Sequence, residues 1–378
     1  MKKCVVVSDS FKGTVSSREI CEIAQRVIPR HFPACEVVCI PVADGGEGTV
    51  DCFIQAMGAQ RVGVTVTNAL GEKSAAAYAR LGELAIIEMA AAAGLPQVGA
   101  LRCPGTATTY GVGELIAHAV HSGCKRILLG LGGSATNDGG CGCAAALGVG
   151  FLDADGQSFV PVGDTLGRIA RIDTGKAEAL LRGVELTVMC DVTNPLYGPT
   201  GAACVFAPQK GADAEKVKSL DAGLRHFGDV IRSQLGIDVS RMPGAGAAGG
   251  MGAGCVALLG GTIQSGIDAV LDVTGFDRQL EGADLVITGE GRIDSQSAGG
   301  KVISGVARRT KAKGIPLIAI AGGIADSANA VYNIGVSAMF STDRAALPVD
   351  MLGARSPGDY EATLNDIMSL IAIAERFA

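Results

Sequence analysis

The feature that most constrains this chain is a repeated pattern in which an apolar run ends in a loop of glycine and small polar residues. Six such runs are rich in β-branched residues, and they cover 5–8, 37–42, 127–131, 186–190, 285–287 and 317–321. Runs that are continuous rather than alternating indicate strands buried on both faces. Helical patterns lie between them, at about 16–30, 109–122, 214–235 and 300–313. The alternation predicts an α/β protein with mainly parallel sheets, in which ligands bind at the carboxyl ends of the strands.

The chain length of 378 residues favours two domains. The region 72–100 has few turn signals and could form a hairpin of 75–81 with 84–90, unlike the strand–loop–helix pattern at either end. We therefore predict that 1–65 plus 282–378 form a discontinuous Rossmann-like domain with a mainly parallel sheet. Residues 66–281 are predicted to form a second α/β domain with a mixed sheet.

Charge and cysteine usage argue against several classes of protein. The net charge is −6 without a basic tract, so nucleic-acid binding is not expected. The 12 cysteines lack zinc-type spacing, which indicates a reducing compartment, and we predict the cytoplasm. The apolar run at 4–7 is too short for a signal peptide, and the uncharged span 244–261 is too rich in glycine for a membrane helix. We therefore expect no membrane partner.

The strongest local signal is the loop at 132–140, which follows a strand and precedes an alanine-rich helix at about 142–147. Exposed N–H groups at that helix start would favour phosphate oxygens, and the loop's polar side chains add donors. The residues predicted to bind the phosphates are Gly132, Gly133, Ser134, Thr136, Asn137 and Gly139. Asp138 is a candidate metal ligand. The alternative is a tight structural turn.

Two further loops near the chain start carry charge. Asp44 and Glu47 follow the second apolar run, and such oxygen ligands suit Mg²⁺ or substrate hydroxyls. Alternatively, Asp44 caps the next helix. Ser10 and Lys12 follow the first run, where a lysine suits a phosphate or a carboxylate, although a lone lysine is more often solvated surface.

Two later strand ends are also polar. Asp191 and Asn194 follow the fourth run, where a carboxylate can accept or orient a hydroxyl proton; a turn closed by their own side chains is the alternative. A second group after the fifth run contains Glu290, Asp294 and Gln296, with Lys301 at the next helix start. Several polar groups after one strand favour a substrate-binding site.

Two motif searches bear on the function. The segment 244–249 fits G-x-G-x-x-G, but 240–243 before it is a poor strand, so the match supports dinucleotide binding only weakly. No Walker A sequence, G-x-x-x-x-G-K-[ST], occurs. A kinase would therefore need another phosphate-binding loop.

Taken together, these segments resemble the glycerate kinase family of the bacterial glycerate 2-kinase type (the type-1 glycerate kinases). The matching segments follow the family's order and cover nearly the whole chain: 9–13 (DSFKG), 42–49 (VADGGEGT), 132–140 (GGSATNDGG), 190–196 (CDVTNPL), 208–212 (PQKGA), 244–250 (GAGAAGG), 288–296 (TGEGRIDSQ) and 300–301 (GK). The resemblance implies ATP as donor, D-glycerate as acceptor, 2-phosphoglycerate as product and Mg²⁺ as cofactor. It also implies two α/β domains with the active site in the cleft between them.

Within that framework we assign roles by chemistry. The 132–140 loop, assisted by Lys301, would hold the ATP phosphates, and Lys12 would bind the glycerate carboxylate or the moving phosphoryl group. Asp191 would accept or orient the C2 hydroxyl proton. Glu47, Glu290 or Asp294 would hold Mg²⁺ or substrate hydroxyls. Ser10, Asp44, Asn194 and Gln296 complete the predicted substrate contacts.

Two other functions stay open: a nicotinamide-dependent oxidoreductase of a small hydroxy acid, and a non-catalytic sugar-acid sensor. For the oligomeric state we expect a monomer or a homodimer.

Overall fold

A computed structural model describes residues 1–11, 14–42, 48–299, 301–345 and 353–377. The chain forms two compact units, Met1–Asp44 with Gly266–Ala378, and Gly45–Ser265. We call them the first and the second unit. Residues 60–65, assigned by prediction to the domain of the chain ends, pair with a strand of the second unit. The domain boundaries proposed from sequence stay a prediction.

The elements alternate as the apolar pattern predicted. The described strands are β1 Lys3–Ser8, β2 Glu36–Pro41, β3 Gln60–Thr67, β4 Lys73–Leu81, β5 Leu84–Glu88, β6 Arg126–Gly130, β7 Gly150–Leu152, β8 Arg171–Asp173, β9 Glu185–Met189, β10 Thr262–Gln264, β11 Leu285–Ile293, β12 Leu317–Ile324 and β13 Ala338–Ser341. The described α-helices are α1 Ser17–His31, α2 Thr49–Met57, α3 Ala90–Ala93, α4 Leu95–Val98, α5 Tyr110–His121, α6 Cys141–Ala146, α7 Gly175–Leu180, α8 Ala202–Phe206, α9 Ala214–Leu235, α10 Ala247–Leu259, α11 Gly266–Val273, α12 Phe276–Gln279, α13 Val302–Ala312, α14 Ala330–Ile334 and α15 Ser356–Ala374. Short 3₁₀ turns cover Gly163–Arg168, Pro208–Lys210, Ser295–Ala298, Asp326–Asn329 and Gly353–Arg355.

The first unit contains a five-stranded sheet in the order β13-β12-β11-β1-β2, and every pairing in it is parallel. Strand β1 is central, and Val5, Val6 and Val7 are fully buried. Burial of consecutive residues confirms that a continuous apolar run marks a strand covered on both faces. Helix α1 begins with the predicted capping box, in which Glu19 N donates to Ser16 Oγ and Ser16 N donates to the Glu19 carboxylate.

The second unit contains a six-stranded mixed sheet in the order β10-β9-β6-β5-β4-β3. The four strands from β10 to β5 are parallel, whereas β4 pairs antiparallel with both β5 and β3. The predicted hairpin is therefore confirmed as β4 and β5. A small antiparallel pair, β7 with β8, lies outside the main sheet. One mainly parallel and one mixed sheet confirm the predicted fold class.

In the part of the chain that the structure describes, no helix combines the length and the apolar character needed to cross a membrane.

Candidate active site

The carboxyl edge of the second unit's sheet brings two polar loops side by side. Strand β6 lies between β5 and β9, and its last residue, Gly130, pairs with Glu88 on one side and Met189 on the other. Leu131 N donates to Met189 O at 3.4 Å, so the 131–140 loop leaves the sheet beside the segment that begins at Cys190. Both loops therefore lie at the carboxyl edge of parallel strands, where ligands bind in open α/β sheets.

The interior of the 131–140 loop is closed to solvent. Thr136, Asn137 and Asp138 are fully buried and Ser134 is nearly so, whereas Gly132 and Gly133 are exposed. Thr109 donates to Asp138 Oδ2 through both N and Oγ1 at 2.8 Å, and the amides of Gly140 and Gly142 donate to its two oxygens at 3.0 and 3.3 Å. Burial raises the pKa of the Asp138 carboxyl above its usual range, and these hydrogen bonds oppose the rise.

These bonds change two expectations for the loop. The amides at the start of α6 are not exposed, because Cys141 N donates to Asp138 O, Gly142 N to the Asp138 carboxylate, and Cys143 N to Thr109 Oγ1. The prediction that they face phosphate is therefore wrong. The predicted metal role of Asp138 has no support in these contacts, because four N–H and O–H donors of the chain already bind its oxygens. Gly132 and Gly133 remain the exposed part of the loop, and Ser134, which is 7% exposed, adjoins them.

Lys210 is the main residue that sequence reasoning left without a role. It ends the 3₁₀ turn Pro208–Lys210 and is only 2% exposed. Its Nζ donates to Ser134 Oγ and to Thr136 O, each at 2.7 Å. Burial lowers the pKa of Lys210 to about 7, with the charge of Asp138 opposing the shift. The one available signal was its position inside the PQKGA segment.

Two neighbours of this lysine carry buried polar atoms without partners. Thr136 Oγ1 and both amide atoms of Asn137 lack a hydrogen-bond partner among the described residues. Such atoms are uncommon in folded proteins, because an unmade buried hydrogen bond costs about 1–3 kcal/mol. These atoms are further hydrogen-bonding groups within the 131–140 loop.

The glycine-rich segment 244–250 packs against this loop. Ala248, Gly249 and Gly250 adopt left-handed φ values of 53°, 70° and 91° inside α10. Gly139 N donates to Gly249 O at 3.0 Å, and a Cβ on Gly249 would lie 2.1 Å from Thr136 O. No strand precedes the segment; residues 240–243 form a turn. The G-x-G-x-x-G match therefore serves close packing, and its interpretation as a dinucleotide-binding loop is wrong.

Asp191 and Asn194 leave the same sheet edge after β9. Asp191 is exposed. The Asn194 side chain donates from Nδ2 to Thr200 O at 2.8 Å, and the backbone carbonyl oxygen of Asn194 accepts from Gly246 N at 3.0 Å. The Asn194 side chain thus holds the segment 194–200, and Asp191 is the exposed carboxylate before it; the two interpretations of these residues stay predictions.

The first unit gathers the second predicted cluster at the carboxyl edge of its own sheet. Asp9 follows β1, and its N–H donates to Gly289 O at 2.9 Å, beside Glu290 on β11. Ser10 N donates to Asp9 Oδ1 at 2.7 Å. Glu290 is 6% exposed and accepts a short hydrogen bond from Ser297 Oγ. These contacts bring two carboxylates and a serine to one edge.

Burial raises the pKa of Glu290. The hydrogen bond from Ser297 and the charge of Lys301 oppose that shift, whereas Asp9 and Asp294 reinforce it. Three charged groups of the cluster, Lys301, Asp9 and Asp294, therefore act on the Glu290 carboxyl. A buried carboxylate with a positive neighbour suits recognition of a hydroxyl-rich or anionic ligand.

The remaining predicted residues of this cluster lie around a 3₁₀ turn. Asp294 Oδ1 accepts from Gln296 N at 2.9 Å, and Ser297 Oγ donates to Asp294 N at 3.1 Å. The side chain of Gln296 is exposed. Lys301 is also exposed and stands at the first position before α13. Asp294 therefore caps the turn, while the side chains of Gln296 and Lys301 are exposed.

Lys12, Asp44 and Glu47 lie outside the described residues. Across the ranges that are described, no group of three or more His, Cys, Asp or Glu side chains could hold a metal ion. The donor set for Mg²⁺ is therefore not found there, and Glu47 stays a ligand predicted from sequence.

Comparison with known proteins decides the family. A sequence model of the glycerate kinase family matches residues 4–372. This chain belongs to the glycerate kinase family. It is 45% identical over 375 residues to a glycerate kinase of Bacillus cereus (strain ATCC 10987 / NRS 248), covering 98% of each chain.

Two further members of the glycerate kinase family bear on specificity and fold. The chain is 45% identical over 343 residues to the glycerate 2-kinase of Escherichia coli (strain K12), which covers 90% of each chain. A crystal structure of a protein named as a glycerate kinase 2 from Salmonella typhimurium LT2 superposes with a TM-score of 0.88, at 39% identity and 99% coverage of both chains. The two-domain α/β architecture is thus shared with a family member.

Proposed function

We propose that this protein transfers the γ-phosphoryl group of ATP to the C2 hydroxyl of D-glycerate, giving 2-phospho-D-glycerate and ADP. The observation that carries the proposal is the 45% identity to a glycerate 2-kinase over 90% of both chains. In the reaction the C2 oxygen bonds to the γ-phosphorus, the bond to the β–γ bridging oxygen breaks, and the hydroxyl proton leaves. The protein must align these atoms and neutralise charge.

Binding of the ATP phosphates is assigned to the accessible end of the 131–140 loop. Gly132 and Gly133 allow close approach, and the Ser134 hydroxyl supplies a donor. Lys301 is an exposed cation that can assist. Thr136, Asn137 and Gly139, which lie inside the loop, support its conformation.

Acceptance of the C2 hydroxyl proton is assigned to Asp191. It is an exposed carboxylate at the sheet edge from which the 131–140 loop also leaves. A positioned base of this kind contributes roughly a hundredfold or more to the rate. Asn194 supports the turn that carries it.

Recognition of glycerate is assigned to the first unit's cluster. Glu290 and Asp294 accept from hydroxyls, Ser10 and Gln296 add polar contacts, and Lys12 binds the carboxylate or the moving phosphoryl group. Asp44 and Glu47 are assigned from sequence to substrate and to Mg²⁺, which would neutralise phosphate charge when bound. The location of the site in the cleft between the domains, the cytoplasmic location, and the monomeric or dimeric state stay predictions.

The test compares Asp191→Asn with Asp229→Asn, since Asp229 is a half-exposed carboxylate on α9. With Mg-ATP and D-glycerate, we expect kcat of Asp191→Asn to fall roughly a hundredfold or more, while Asp229→Asn keeps the normal rate. Equal rates would remove Asp191 from the mechanism.

The same preparation discriminates the alternative functions. An oxidoreductase would change the fluorescence of NADH on binding, and a sensor would bind D-glycerate without releasing ADP from ATP. ADP release that depends on D-glycerate, with no NADH binding, supports the kinase.

A further inference from the structure

Lys210 is buried against uncharged hydrogen-bond acceptors. Its ammonium lies 2% exposed and donates to two neutral oxygens, Ser134 Oγ and Thr136 O, rather than to a carboxylate. A buried charge without an ion-pair partner is destabilising, and an apolar residue of the same length would avoid that penalty. Holding the lysine there is therefore better explained by what it does to the loop than by stability.

The loop backbone is also fixed from two other directions. Ala135 N donates to Ala93 O, and Leu95 N donates to Gly133 O, at 2.9 and 2.8 Å. On the opposite side, Gly249 packs so closely that a Cβ would lie 2.1 Å from Thr136 O, the carbonyl that Lys210 binds. These contacts fix the backbone on either side of Ser134. They do not determine the direction in which its hydroxyl proton points.

Lys210 determines that direction. While it carries its proton, Lys210 has three N–H donors and no lone pair, so Ser134 Oγ can only accept from it. The hydroxyl proton must then point elsewhere, and no acceptor for it is found among the described residues. Ser134 is 7% exposed and follows the exposed Gly132 and Gly133, so a ligand at these glycines can receive this proton.

We propose that Lys210 is a positioning residue for phosphoryl transfer: it holds the Ser134 hydroxyl as an outward hydrogen-bond donor to the ATP phosphates. This inference rests on the proposed function. A donor oriented before the substrate binds needs no reorganisation as charge shifts during transfer, which is how preorganised donors accelerate reactions. Lys210 acts through Ser134 and does not touch the substrate.

The experiment is a double-mutant cycle on the full-length protein with Lys210→Met and Ser134→Ala, measured below about pH 7, where Lys210 carries its proton. Each single variant is expected to lower kcat/KM for ATP roughly tenfold or more, with the KM for D-glycerate nearly unchanged. In the Ser134→Ala background, Lys210→Met should lower kcat/KM little further, because the hydroxyl through which Lys210 acts is already removed. Lys218→Met, at a lysine 73% exposed on α9, serves as the matched control with normal kinetics.

A purely structural lysine would give a different pattern. Its loss would lower kcat/KM equally in both backgrounds, and this additive result would overturn the proposal. A readout apart from turnover is the increase of the melting temperature on adding ADP, which should shrink in both single variants and stay normal in Lys218→Met. If Lys210→Met does not fold, Ser134→Ala alone decides, since normal kcat/KM for ATP would refute the role. An inactive wild-type enzyme would instead overturn the proposed function.

Discussion

The burial of Lys210 predicts how the free energy of unfolding depends on pH. Burial lowers the pKa of Lys210 from 10.5 to about 7 in the folded protein. Between these two pH values the unfolded chain binds a proton at this residue that the folded chain lacks. The free energy of unfolding therefore rises with pH across this window. The cost of burying the charged lysine is fully present only below about pH 7.

The size of the effect follows from the same two values. The full window corresponds to about 5 kcal/mol, since one pKa unit equals about 1.4 kcal/mol. From pH 7 to pH 9 the integrated gain is about 2 kcal/mol. Lys210→Met has no such gain, so its free energy of unfolding minus that of the wild type should fall by about 2 kcal/mol over this range.

The assay is urea unfolding at pH 7, 8 and 9, analysed for the transition of the second unit. The difference removes contributions from other titrating groups, which both proteins share. Lys218→Met, at a lysine whose side chain is 73% exposed, is the control. Parallel pH curves for Lys210→Met and the wild type would refute the reasoning, because they would mean that Lys210 keeps its proton on folding.

Three other predictions follow from the site. Gly249→Ala should destabilise the protein by roughly 3 kcal/mol or more, because its Cβ would meet Thr136 O, whereas Gly236→Ala, with a similar φ but open space, should cost about 1 kcal/mol in the same urea titration. Thr109→Val should cost about 2 kcal/mol by removing the hydroxyl that donates to Asp138, and an unchanged urea midpoint would contradict this. Burial raises the pKa of Glu290, so the loss of activity on acidification should begin at a higher pH than the pKa of an ordinary carboxylate would give. In Glu290→Gln this loss at low pH should be absent from the plot of kcat/KM against pH.

Much of the fold could be predicted because its signals are local. The run at 5–8 became the buried strand β1, and the capping box at Ser16 and Glu19 opens α1. The parallel order also follows from the helices between strands, and it places Asp191 beside the 131–140 loop at one sheet edge. Each of these features needs only neighbours in sequence and a general rule of packing.

The details of the site could not be predicted, because they depend on contacts distant in sequence. From the sequence alone, Lys210 would be expected on the surface, because its hydrogen-bond acceptors lie 74 and 76 residues away in the chain. The exposed amides expected at the start of α6 are bound by Asp138 and by Thr109, which approaches from the start of another helix. The segment 244–249 has the spacing of a dinucleotide loop, and only its packing on Thr136 shows the reason for its glycines.

The central claim is phosphorylation of D-glycerate at C2, and phosphorus NMR of the product tests it most directly. Purified protein is incubated with Mg-ATP and D-glycerate, and the phosphorus–proton coupling locates the new ester. We expect the phosphorus to couple to the single proton on C2, as in 2-phosphoglycerate. Coupling to the two C3 protons would contradict the assigned position, and the absence of any glycerate phosphate would contradict the function itself.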